Sequence, residues 1–99
     1  MNLNFKDWKE NEIKTIGKRN LLKEINNLSE EEGNFQIVER DDGLVVQWVH
    51  LEQGLLRVEK VVNSNEIYFC HLKKEHMDSL INLIFMKSDL SNLPWKKLN

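Results

Sequence analysis

The chain reads as an α+β domain: two short N-terminal helices, a four-stranded antiparallel meander, and one C-terminal helix packed on the sheet. Three observations carry this reading. Residues 44–72 hold short runs rich in Val, Leu and aromatics, separated by Glu52-Gln53-Gly54 and Asn63-Ser64-Asn65, where turn-forming residues gather. Residues 73–88 space Met77, Leu80, Ile81, Ile84 and Phe85 by threes and fours, one face of a helix. Residues 5–28 are rich in Lys, Glu and Leu and contain no proline, a composition that favours helix.

The N-terminal segment cannot be one straight rod. Phe5, Trp8, Ile13 and Ile16 cluster around one helical direction, whereas Leu21, Leu22, Ile25 and Leu28 cluster almost opposite it. Gly17 costs about 1 kcal/mol inside a helix and Asn20 is a favourable N-cap, so a break at 17–20 gives helices near 4–16 and 20–29. The run Ser29-Glu30-Glu31-Glu32 then reads as a solvated acidic connector.

The sheet is expected over 34–72. Phe35 to Arg40 forms the first strand and ends at the hairpin signal Asp41-Asp42-Gly43. A two-residue loop there puts Ile37 opposite Trp48; a three-residue loop puts Ile37 opposite Gln47 and Phe35 opposite Val49. In the central hairpin, a two-residue Gln53-Gly54 loop pairs Leu51 with Leu56, Val49 with Val58 and Val45 with Val62, all on one face. The same register sets Gln47 against Lys60, a polar rung on that apolar face. A short Ser64-Asn65 loop pairs Val62 with Ile67. The helix of residues 73–88 is expected to cover the Val49 and Val58 face, and residues 89–99 form a tail in which Pro94 prevents a continued helix.

Ninety-nine residues make one domain, 1–99, large enough for a core without staples. Fourteen Lys and Arg against 16 Asp and Glu give a formal charge of −2, which provides no bulk attraction to a phosphate backbone. Cys70 is the single cysteine, so no intramolecular disulfide forms and a reducing, cytoplasmic setting is expected. No apolar run has the roughly 18 residues of a membrane helix, and residues 1–8 hold no signal-peptide core. The many Asn, Lys and Ile residues suit an AT-rich bacterial or phage genome, an association rather than a physical argument.

The second sheet face, in this register, stacks Val46, Val61 and Tyr68; Trp48, Glu59 and Cys70; and His50, Arg57 and Leu72. Aromatics with Arg and His make a candidate partner-binding surface of Trp48, His50, Arg57 and Tyr68, with Trp8 and Trp95 as further anchors. Equally, this face could pack an N-terminal helix through Leu21, Leu22, Ile25 and Leu28. His71, Lys73, Lys74 and His76, between strand end and helix start, make a candidate anion site. Cys70, His71 and His76 do not make a metal site, because Cys70 and His71 point to opposite faces of a strand. No cofactor motif, phosphate loop or catalytic constellation occurs, so no enzyme is expected.

These features point to a non-catalytic small protein-binding module, such as an inhibitor or immunity-type protein of bacterial or phage origin. The partner is another protein, and a homodimer is open through an unpaired strand edge. The alternative is single-stranded nucleic-acid binding on the face around Trp48, Arg57 and Tyr68, by base stacking.

Overall fold

The computed structural model describes residues 3–29, 31–63 and 66–98. Among these, the four-strand expectation gives way to a seven-stranded antiparallel sheet with two helices. The strands are β1 (Leu3–Asp7), β2 (Glu12–Ile13), β3 (Phe35–Arg40), β4 (Val45–Glu52), β5 (Leu55–Asn63), β6 (Glu66–Lys73) and β7 (Lys96–Lys97). The helices are α1 (Lys18–Asn26) and α2 (Met77–Phe85), the latter entered through a 3-10 turn, Lys74–His76. Strand order is β2-β1-β3-β4-β5-β6-β7. None of these helices is long and apolar enough to cross a membrane.

The expected helix at 4–16 is instead the β1–β2 hairpin. Leu3, Phe5 and Asp7 alternate with exposed Asn4 and Lys6, a period of two that outweighs the helix-favouring composition. Asp7 closes the turn. Its Oδ1 accepts from the backbone N–H of Lys9 at 2.9 Å and of Asn11 at 3.0 Å, and its Oδ2 accepts from Asn11 Nδ2 at 3.0 Å. A carboxylate that binds the backbone ahead of it competes with helix formation. The expected break at 17–20 and second helix at 20–29 give way to one helix, Lys18–Asn26, with Gly17 rather than Asn20 at its N-cap, burying Leu21 and Ile25.

The β3–β4 connection takes the three-residue form. Arg40 N–H donates to Leu44 O at 2.8 Å and Gly43 N–H to Arg40 O at 2.9 Å, around Gly43 at φ +94°. Ile37 therefore sits opposite Gln47, and Phe35 opposite Val49.

The central hairpin departs from expectation in one informative way. The Gln53-Gly54 loop holds, with Glu52 opposite Leu55, but a bulge at Leu51 then slips the register by one. His50 faces Leu56, Trp48 faces Val58, and Gln47 faces Glu59 rather than Lys60. A second slip follows between Val61 and Asn63, so Val61 rather than Val62 faces Ile67. The Ser64-Asn65 loop itself lies outside the described residues. The two slips cancel across β5, so the expected alignment of β4 with β6 survives: Trp48 with Cys70, His50 with Leu72, Val46 with Tyr68. Only β5 has moved. Its unshifted register would have set Arg57 and Glu59 among Trp48 and His50, burying a charged pair at a desolvation cost.

Both helices lie on one face, that of Phe5, Val38, Trp48, Val58 and Cys70, where Met77, Leu80, Ile81 and Ile84 of α2 complete the core. The expected Val49 face is the other one, and neither helix covers it. The tail crosses the covered side: Leu90 is buried, Trp95 Nε1 donates to Leu90 O at 2.6 Å, and β7 pairs with β6.

Arg40 ties these layers together. The residue is 5% exposed, and its guanidinium donates from Nη1 to Ile84 O in the last turn of α2 at 2.9 Å and to Ser88 O just beyond that helix at 3.0 Å. Its Nε and Nη2 grip Asp42 at 2.9 and 2.8 Å, and this hydrogen-bonded pairing lowers the Asp42 carboxyl to about 2. Arg40→Leu is expected to cost about 2 to 3 kcal/mol in a urea titration, through loss of the charge-assisted bonds to Ser88 O and to Ile84 O, the latter keeping the Lys87 N–H. Because the Asp42 pKa is depressed, its contribution is full above the unfolded value near 4 and is lost as pH falls towards 2. Asp42→Asn should therefore flatten the fall in melting temperature between pH 5 and pH 2.

Candidate protein-binding face

The uncovered sheet face is built from the residues that alternate with the core. Its rows run Phe35, Val49, Arg57, His71; then Lys6, Ile37, Gln47, Glu59, Phe69; then Asn4, Glu39, Val45, Val61, Ile67. Phe35, Ile37, Val45, Val49, Val61, Ile67 and Phe69 are each half-buried by their neighbours in the sheet and topped by nothing else in the described chain. Ordinary monomers seldom leave so contiguous an apolar surface uncovered.

A polar network crosses its centre. Gln47 Nε2 donates to Glu59 Oε1 at 3.1 Å. Arg57 Nε lies 3.2 Å from Glu59 Oε2, an ion pair lacking the alignment of a hydrogen bond. The same guanidinium stacks over the Phe69 ring, 4.5 Å from its centroid, and Phe69 meets His71 edge-on at 5.9 Å. Arg57 is thus held flat against the sheet, with a carboxylate on one side and an aromatic on the other. Beside Ile37 the face dips into a groove of about 290 Å³ lined by Asn4, Lys6, Glu12, Ile37, Glu39 and Val45.

The residues singled out in the sequence are dispersed. Arg57 is on the open face. Trp48 and His50 are on the covered one, at 0% and 1% exposure. Trp48 Nε1 donates to Gln36 Oε1 at 2.7 Å and Gln36 Nε2 donates to Glu24 O at 2.7 Å, so the indole is a core anchor that ties β4 through β3 to α1. Neither ring nitrogen of His50 has a hydrogen-bond partner among the described residues. Tyr68 and Trp95 lie on the covered side at the β6 margin, where Lys60 Nζ sits 5.7 Å from the Tyr68 ring centroid and 5.0 Å from that of Trp95. Lys60 reaches Asp89 O at 3.4 Å, so its ammonium escapes the core along two aromatic rings instead of bonding Gln47. Trp8 is half-buried and carries Lys9 over its ring.

The four side chains of the anion reading do not converge. His71 belongs to the open face, and Lys73 and Lys74 line a groove of about 530 Å³ whose other residues include Glu52 and Glu75. His76 ends the 3-10 turn and is exposed. Among the described residues, no group of three or more His, Cys, Asp or Glu could hold a metal ion. Cys70 is buried, and that burial pushes its thiol pKa up, the reverse of an activated nucleophile.

What sequence reasoning missed is the apolar set Phe35, Ile37, Val45, Val49, Val61, Ile67 and Phe69. The signal was present, since β4 and β5 are apolar at both parities, as strands buried on both faces are.

Trp48→Ala should destabilise by about 3 to 5 kcal/mol as a core truncation, read from urea unfolding. His50→Met should be neutral or stabilising in the same assay, because it removes a buried polar group with no partner. No protein-family model matches the chain, and no curated protein or solved structure matches it either, so any functional reading rests on the face itself.

Proposed function

We propose that the protein is a non-catalytic binding module that docks another protein on the open face of its sheet. One observation carries the reading: seven half-buried apolar side chains share with Arg57 and the Gln47–Glu59 pair a face that nothing in the described chain covers. Buried interface centres combine apolar side chains with aromatics and arginine in this way, within a more polar rim. Here Lys6 and Glu12, paired at 3.3 Å, and Glu39 supply polar groups at one margin. An inhibitor or immunity-type protein of a bacterium or phage, acting in the cytoplasm, would need no more than such a surface, since occupying a partner requires no reactive group.

The nucleic-acid alternative loses its platforms. It required bases to stack on Trp48 and Tyr68, whereas the indole is buried beneath the helices and the phenol sits beside Lys60 at the tail. On the open face the Phe69 ring is already occupied by Arg57.

Val49→Lys changes the face beside Arg57 without touching the core, and Asn82→Lys, on the exposed side of α2, is the matched control. Immobilised wild-type chain and the control should retain a common stoichiometric protein partner from lysate of bacteria that also express the untagged chain, with Val49→Lys weakening retention by roughly tenfold, about 1.4 kcal/mol. Retention that is indifferent to Val49→Lys would place the binding surface elsewhere.

A further inference from the structure

We infer that the occupant of the open face is a second copy of this chain, related by a two-fold axis that runs along the strands between β4 and β5. The inference rests on the reading of this face as a protein-docking surface and names the partner.

An isologous interface must be complementary to itself, and the register decides whether this face is. Turned about that axis, β4 meets the second copy's β5 and β3 meets its β6. The three rows then pair residue by residue. Gln47 meets Glu59, repeating between chains the amide-to-carboxylate contact made within one. Val45 meets Val61, Ile37 meets Phe69, Phe35 meets His71, and Val49 meets the stem of Arg57. No like charges oppose one another across these four central strands. Lys6 and Lys96 do oppose each other, but at the outer margin, where water and salt screen them. Each Arg57 is already neutralised by its own Glu59, and Glu39, which meets Ile67, lies in the outermost row, where its exposed carboxylate keeps access to water.

The size is adequate. With the axis between β4 and β5, β2 has no counterpart and six strands overlap; five inter-strand spacings of about 4.8 Å span roughly 24 Å, and three same-face rows each about 6.8 Å wide cover roughly 20 Å, giving about 480 Å² of flat area. The extents of the molecule, 28 × 27 × 23 Å, agree with that footprint. Side-chain relief raises the accessible area to about 600 Å² per partner, the low end of the range for specific interfaces and the size of a weak, reversible dimer. Face-to-face packing also suits the edges of this sheet. Both are two-residue strands, Glu12–Ile13 and Lys96–Lys97, too short to template edge-to-edge addition.

The decisive pair is Ile37 and Phe69. Within one chain they are three strands apart, about 14 Å, whereas the two-fold sets them face to face. Ile37→Glu has Lys6 beside it and Phe69→Lys has Glu59 beside it, so each folded monomer has a local counter-charge. Sedimentation equilibrium of the full chain from about 1 μM to about 1 mM should show a monomer–dimer equilibrium, weakened more than about tenfold by either substitution. Mixing the two variants should restore association as a heterodimer, because the carboxylate introduced in one copy then faces the ammonium introduced in the other. Circular dichroism melts confirm that each variant is folded, and Ile37→Gln with Phe69→Ser replace any that is not. A wild-type chain that stays monomeric up to about 1 mM overturns the inference, as does a dimer indifferent to both substitutions or a mixture that fails to associate. A monomeric wild type whose capture of another protein is lost in Val49→Lys overturns only this inference and leaves the docking reading standing.

Discussion

The structure depends on where β5 puts Arg57 and Glu59. Leu55, Leu56, Val58, Val61 and Val62 give this strand apolar side chains at both parities, so the hydrophobic pattern alone permits either register. The charged pair breaks the tie. With Leu51 bulged out of β4 and a second slip after Val61, Leu56 and Val58 enter the core beside His50 and Trp48. Arg57 and Glu59 go to the side where they pair with each other and with Gln47. A one-residue slip moves every side chain of a strand to the other face, so two small irregularities decide which surface the molecule presents.

The covered side handles its polar groups differently. Trp48, Gln36 and the Glu24 carbonyl form a short relay from β4 through β3 to α1, and Arg40 carries the β3–β4 turn to the end of α2. Each helix is therefore anchored to the sheet by a directional bond as well as by apolar packing, which fixes its position along the strands where burial alone would let it slide. His50 is the exception, buried without a partner among the described residues, and its removal is the most direct route to extra stability. The open face is arranged the opposite way: Gln47, Glu59 and Arg57 engage one another in the plane through one hydrogen bond and one ion pair, and its apolar groups have no layer of the described chain above them.

Much of this was legible in the sequence, and the failures have physical causes. Turn chemistry marked Asp41-Asp42-Gly43 and Gln53-Gly54 correctly, and the three-and-four spacing of Met77, Leu80, Ile81 and Ile84 marked the buried face of α2. Bulges leave no such mark. Nothing in Leu51 or Val62 announces an unpaired residue, so a register carried mechanically from the loop placed Gln47 against Lys60 and put Val49 on the covered face. The N-terminal hairpin failed for another reason: the alternation of Leu3, Phe5 and Asp7 with Asn4 and Lys6 decides the fold there, but it spans only the five residues of β1 and is hidden in a longer stretch of helix-favouring composition, a weak prior. Of the site, only Arg57 was found on the exposed surface, because Trp48 and His50 look like interface residues until the helices are seen to lie over them.

The register of β4 on β5 can be read directly from inter-strand nuclear Overhauser effects in the isotope-labelled chain. Cross-strand contacts linking Gln47 with Glu59 and Trp48 with Val58 are the expected result, with Leu51 lacking a rung of its own. Contacts linking Gln47 with Lys60 and Val49 with Val58 would contradict it, and with it the open face on which the proposed function rests.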